Sequence, residues 1–171
     1  MTFEGGRQLE GKESSFEETF SFESRIKTID AAEDLARTHL QELGWPEDKI
    51  ERFALSVHEA VSNAVVHGNL GVSKTSPDDT SISERALAAE KTEKSSKKVT
   101  IVFKFTKDRA EAEIIDEGDF LPAKGLSSEF REGDISTSGR GIGLIGLDMS
   151  ELEFSPGRIR FALERKDGDN F

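Results

Sequence analysis

Apolar residues recur at steps of three and four through residues 25–43, where Ile26, Ile29, Ala32, Leu35, Ala36, Leu40 and Leu43 fall on one stripe. That spacing predicts an amphipathic helix ended by Gly44. The period returns after Pro46, with Ile50, Phe53, Val57, Ala60, Val61, Ala64 and Val65, and predicts a second helix from about Glu47 to His67, with Gly68 beyond it. Elsewhere the period drops to two. ETFSFES (18–24) sets Phe20 and Phe22 on one face of a strand, and VTIVFKF (99–105) with AEAEIID (110–116) reads as a hairpin closed near Lys107, Asp108 and Arg109. A helix from near Ile142 to Met149 and a last hairpin, ELEFS and RIRFALER around Pro156 and Gly157, complete the periodic part. Together these elements define an α+β class.

The aperiodic stretches set the limits of the domain, expected at 16–166. Residues 1–15 are polar and contain glycines, so they are expected to be a disordered tail, and 167–171 a second one. Residues 71–98, GVSKTSPDDTSISERALAAEKTEKSSKK, are rich in Ser, Lys and acidic residues. Their centre, SERALAAEKTEK, combines good helix formers with a thin apolar face, which predicts a solvated helix in a flexible spacer; a partner-docking helix is the other reading. From Glu117 to Ser138, Gly118, Pro122, Gly125 and Gly133 interrupt any period and predict a loop.

Charge then narrows the partners. The 171 residues include 34 Asp and Glu against 23 Lys and Arg, a formal net charge of -11, which argues against nucleic-acid backbones and anionic membranes and leaves proteins and metal-bound small molecules. The chain has no cysteine, which excludes a disulfide framework, a thiolate zinc site and a cysteine nucleophile. MTFEGGRQLEGKESS lacks the basic start and apolar stretch of a signal peptide, and no apolar run approaches membrane-spanning length, so a cytoplasmic protein is expected.

Three segments carry candidate chemistry. In HEAVSNAVVHGN (58–69), Glu59, Asn63 and His67 are each four residues apart and form one polar stripe on an otherwise apolar helix. A carboxylate and a carboxamide oxygen one turn apart suit a hard cation and a general base, although such a pair can also border solvent or bond loop backbone. In IIDEGDF (114–120), Asp116 ends a strand and Gly118 lets the backbone turn closely past a ligand; a carboxylate there can accept from an exocyclic amine, and Asp-x-Gly is equally a common turn. In STSGRGIGLIGLDMS (136–150), Gly139, Gly141 and Gly143 lead into a helix whose first amides suit an anion. GIGLIG at 141–146 also fits a dinucleotide fingerprint, but the polar residues REGDISTSGR before it supply no preceding strand.

In this order, the three segments resemble the N, G1 and G2 boxes of the GHKL superfamily, the Bergerat-fold ATPases that include gyrase, MutL and the catalytic domains of histidine kinases. HEAVSNAVVHGN is most similar to the first box of the small RsbW-type anti-sigma-factor serine kinases. The likeness spans about residues 16–166. It implies a two-layer α/β sandwich with helices on one face of a mixed sheet, and a serine/threonine-protein kinase that uses ATP-Mg²⁺. It further implies sequestration of a sigma factor or other regulator and phosphorylation of a STAS-domain anti-anti-sigma partner, and it allows a homodimer.

By the same resemblance Glu59 is the general base, Asn63 the Mg²⁺ ligand, Asp116 the residue that recognises the adenine amine, and Gly118 the glycine beside the base. Gly139, Gly141 and Gly143, with Arg140, Ile142 and Leu144, belong to the phosphate-binding lid and helix start. His67, followed by Gly68, contacts phosphate or caps the helix. The chain departs from the pattern in three places. Asp119 stands where a second glycine is usual, Pro156-Gly157-Arg158-Ile159 replaces a Gly-Thr pair, and the 71–98 insertion is long. Two other readings stay open: a regulator that binds its partner under nucleotide control without phosphorylating it, and a histidine-kinase fragment, for which His39 would have to be the phosphoacceptor.

Overall fold

The computed structural model describes residues 15–74, 80–118, 145 and 149–165. Strand β1 (Phe16–Glu23) is followed by α1 (Lys27–Glu42) and α2 (Glu47–Ser62). The last residue of α2 passes straight into a π-helix, Asn63–Asn69. Helix α3 (Ile82–Glu90) and a 3-10 turn, Glu93–Ser96, lead to β2 (Lys98–Phe105) and β3 (Arg109–Asp116). Strands β4 (Glu151–Ser155) and β5 (Arg158–Glu164) close the order.

The five strands form one sheet in the order β1-β2-β3-β5-β4. This is the two-layer α+β fold expected. Every pairing between the described strands is antiparallel, however, where a mixed sheet was expected. The reason is connectivity. Tight turns join β2 to β3 and β4 to β5, and the helical pair α1–α2 returns the chain to the end of the sheet where β1 stopped, so β2 runs back along β1.

Alternation decides which face the helices cover. Phe20, Ile101, Phe103, Ala112, Ile114 and Phe161 point inward and are buried, and α1 and α2 lay Ala32, Ala36, Leu40, Phe53, Val57 and Val61 over them. Phe53 of α2 sits between Phe105 and Phe161, at ring-centroid distances of 5.6 and 5.4 Å. The indole N–H of Trp45 donates to Thr106 O at 2.9 Å and fastens the α1–α2 turn to the β2–β3 turn. The other face carries a ladder of charges: Arg109 donates to Glu111, Glu151 and Glu164, and Arg160 to Glu111 and Glu153. An antiparallel sheet with one apolar and one charged face keeps the second in water.

Two expectations require correction. The second helix was expected to stay α-helical to His67, but from Asn63 it widens into the π-helix. The insertion was expected to hold a solvated helix, yet α3 is packed against the domain. Its Ala86 is 1 % exposed and joins the main apolar cluster, and the Glu90 carboxylate accepts the Ile26 N–H at 3.0 Å. Helix α3 also starts with a capping box: Glu84 N–H donates to Ser81 Oγ, and Ser81 N–H donates to the Glu84 carboxylate. Among the described residues, no helix is long and apolar enough to cross a membrane. Of the segments expected to be tails, 1–14 and 167–171 lie outside the described residues, as do 119–138 of the expected loop and all of the helix expected from Ile142 to Met149 except Ile145 and Met149.

Candidate functional site

Antiparallel alternation gathers the end of β1, the start of β2, the end of β3 and the β4–β5 turn at one end of the sheet. The π-helix arrives at the same end. Its widened turn is visible in the Leu70 N–H, which donates five residues back to Val65 O at 2.9 Å. Ala64, Val65, Val66, Gly68 and Asn69 are all buried, more of the circumference than an amphipathic α-helix hides, because strand ends and the insertion surround this terminus. π-turns of this sort often mark functional positions.

Glu59 in α2 and Asn63 at the start of the π-helix are both half-buried and lie one turn apart on the same side. His67 follows four residues later, but the wider turn rotates it out of the straight stripe that an α-helix would give. Its Nδ1 lies 2.5 Å from Val72 O. Burial pushes the His67 imidazole below its ordinary value, the cations Lys74 and Arg85 add to that, and the bond to Val72 opposes it.

Sequence reasoning missed Lys74 and Arg85. Burial lowers the Lys74 ammonium while the Glu59 carboxylate raises it, so the insertion brings a cation into the field of Glu59. Arg85 on α3 donates to Ser73 O at 2.9 Å, and its Nε is enclosed without a hydrogen-bond partner among the described residues. The only sequence signal for either was a basic residue in a polar stretch, which surface segments share.

Among the described glycines, those packed most closely lie around Asp116. A Cβ on Gly68 would lie 2.6 Å from the Asp116 carboxylate, and one on Gly118 would lie 2.2 Å from Gly68 O. The Gly118 N–H donates to Asp116 Oδ1 at 2.8 Å, and the Asp116 N–H donates to Gly157 O at 2.9 Å. Gly157 turns the β4–β5 hairpin with φ +70°, left-handed backbone that glycine takes without strain. Pro-Gly in place of the Gly-Thr pair therefore still builds a tight turn, and that turn abuts Asp116.

The structure thus brings Glu59, Asn63, His67, Asp116 and Gly118 to one end of the fold. Gly139, Arg140, Gly141, Ile142, Gly143 and Leu144, like Asp119, lie outside the described residues. His39 is elsewhere, stacked on Phe16 with centroids 3.9 Å apart. His58 pairs with Glu33 at 2.8 Å on the α1–α2 surface. With Asp30 these two present ligand atoms within 4.8 Å of one another, but Glu33 also holds Arg37 at 2.9 Å, as surface ion pairs do.

The fold is an open sheet with helices on one face, in which a strand-end carboxylate is locked against the last turn of a helix. The sequence matches the model for the histidine kinase-like ATPase domain over residues 22–161, and the chain belongs to that family. It is a GHKL-type ATP-binding domain. No curated protein matches the chain.

Proposed function

We propose that the protein is an ATP-dependent serine/threonine kinase of the RsbW type, which phosphorylates a serine on a STAS-domain anti-anti-sigma partner and sequesters a sigma factor or other regulator. The observation that carries this reading is the placement of Glu59 and Asn63, half-buried and one turn apart, on the same helix whose end closes around Asp116. A carboxylate accepts several hydrogen bonds, so Asp116 can serve the Gly118 N–H and the exocyclic amine of adenine together. Guanine offers a carbonyl at that position and would be refused.

The donor set fits Mg²⁺ through Asn63. Magnesium retains water and usually takes one or two protein oxygens besides the phosphates, and Asn63 is open enough for that. When bound, the metal neutralises charge on the transferring phosphoryl group. Glu59 accepts the proton of the incoming serine hydroxyl as the serine oxygen–phosphorus bond forms and the bond to ADP breaks. The Lys74 cation beside Glu59 supplies positive charge in a protein whose net charge of -11 repels phosphate.

The test pairs nucleotide affinity with phosphotransfer from γ-labelled ATP to a STAS protein recovered by pull-down. Glu59→Gln should keep ATP and lose about 10²- to 10⁴-fold in rate. Asn63→Ala should lose the Mg²⁺-dependent part of binding as well. Full activity in Glu59→Gln refutes the base assignment. ATP binding without transfer by the unmodified protein leaves the nucleotide-controlled binder as the reading.

A further inference from the structure

We infer that Asn69 is a positioning residue that sets adenine recognition by bracing the Asp116–Gly118 turn. The inference rests on the reading of Asp116 as the adenine contact. Asn69 closes the π-helix, is 1 % exposed, and makes three hydrogen bonds through its carboxamide, with both N–H groups and the oxygen engaged. Its Oδ1 accepts the N–H of Glu117, the residue between Asp116 and Gly118, at 2.8 Å. Its Nδ2 donates to Ser24 Oγ at 2.7 Å and to Lys98 O at 2.9 Å.

Those partners come from different parts of the chain. Ser24 follows β1, is fully buried, and donates its hydroxyl to Lys97 O at 2.9 Å; its N–H reaches Ser95 O and Lys97 O, both at 3.0 Å. Lys98 begins β2 directly after the insertion. One amide therefore ties the end of β1, the exit of the insertion and the turn after β3 to the last residue of the π-helix. Its neighbour Gly68 lies against the Asp116 carboxylate, so the side chain of Asn69 and the bare backbone of Gly68 fix the turn from the same element.

The brace acts on Asp116 through the peptide that follows it. Without the Asn69 carbonyl, the Glu117 N–H loses its partner and the turn can slide along Gly68, which changes the aim of the carboxylate. Aspartate at this position would be isosteric, yet it has no N–H to offer Lys98 O and would set oxygen against oxygen. A purely structural role would lower stability without changing which base is preferred. A positioning role changes the preference.

The experiment measures ADP and GDP affinity by calorimetry, and amide exchange of Glu117 by NMR, in the unmodified protein, Asn69→Ala and Asn69→Asp. The expected result is a fall of about tenfold in the ADP-to-GDP affinity ratio, with faster Glu117 exchange, in Asn69→Ala, which removes the acceptor of the Glu117 N–H; Asn69→Asp keeps that acceptor and loses only the donors to Ser24 and Lys98, so its ratio should fall less, about threefold. Ser24→Ala, which removes one partner of Nδ2 and keeps the Glu117 bond, should give the same sense at about threefold. If neither Asn69 variant folds, the Ser24→Ala ratio decides alone. An unchanged ratio, in a protein that still prefers ADP, overturns the inference while leaving the nucleotide reading intact. Failure of the unmodified protein to prefer ADP over GDP overturns the Asp116 reading and this inference with it.

Discussion

Gly118→Ala is the sharpest test of the site's geometry, because the added methyl would meet backbone and not a side chain that could turn aside. It would lie 2.2 Å from Gly68 O and 2.5 Å from Gly68 C, while ordinary contact begins near 3.4 Å, so the turn must retreat by about 1.2 Å. The Asn69–Glu117 hydrogen bond, 2.8 Å long, holds the same turn, so a retreat of that size weakens it. Overpacking costs about 1–3 kcal/mol, and a weakened hydrogen bond at the exposed Glu117 up to about 1 kcal/mol more. At about 2–4 °C per kcal/mol for a chain of this size, the melting temperature should fall by roughly 2–16 °C. Gly44→Ala supplies the control: nothing lies within 4 Å of its Cβ, and only the φ of +70° is strained, at about 1–2 kcal/mol. Thermal unfolding and ADP calorimetry on both variants decide the matter. The reasoning is refuted if Gly118→Ala melts no lower than Gly44→Ala and binds ADP as the unmodified protein does.

Asp116→Asn should weaken ADP binding by about 1.5–3 kcal/mol, roughly ten- to a hundredfold, since it exchanges a charge-assisted acceptor for a neutral amide; calorimetry reads it, and an unchanged affinity counts against adenine recognition. Ala86→Glu should lower the melting temperature by about 3–10 °C by forcing a carboxylate into the core, while Ala88→Glu on the exposed side of α3 leaves it unchanged. The two variants behaving alike would return the insertion to the status of a solvated spacer. The fold depresses His67 below the ordinary 6.5, so the unfolded chain binds the proton more readily, and this contribution to stability is present above pH 6.5 and lost as pH falls through the folded value. His67→Gln should therefore flatten the decline in urea midpoint between pH 7 and 5, and parallel declines would refute the assignment.

Long periodic elements were readable in advance because burial imposes its period on sequence. Helix α1 and all five strands fall within about two residues of their expected bounds, since one face of each is apolar and the other is not. The change to π-winding at Asn63 was not readable, because NAVVHGN is compatible with α-helical spacing. The packing of α3 was missed for a related reason: its contribution to the core is one small residue, Ala86, and a single alanine produces almost no periodic signal. Asn69 was passed over as part of a motif. Nothing in HGN distinguishes a buried three-way brace from a helix-ending residue until Ser24, Lys98 and Glu117, distant in sequence, are seen around it.

Strand parity explains why the carboxylate meets the helix layer and not the charged face. On β3, Ala110, Ala112 and Ile114 point inward, so Asp116 continues the inward series two residues later, whereas Ile115 between them is 37 % exposed on the opposite face. At Ile114 the inward face is still apolar core. One step on, β2 ends its pairing at Val99, opposite Asp116, and the helix layer offers Gly68 where a side chain would otherwise stand. A one-residue slip of β3 would bring Ile115 to the helix and turn Asp116 to the outer face, so the register that buries Ile114 is also the register that aims the carboxylate. Core packing of the sheet and placement of the candidate adenine contact are thus set by one alternation.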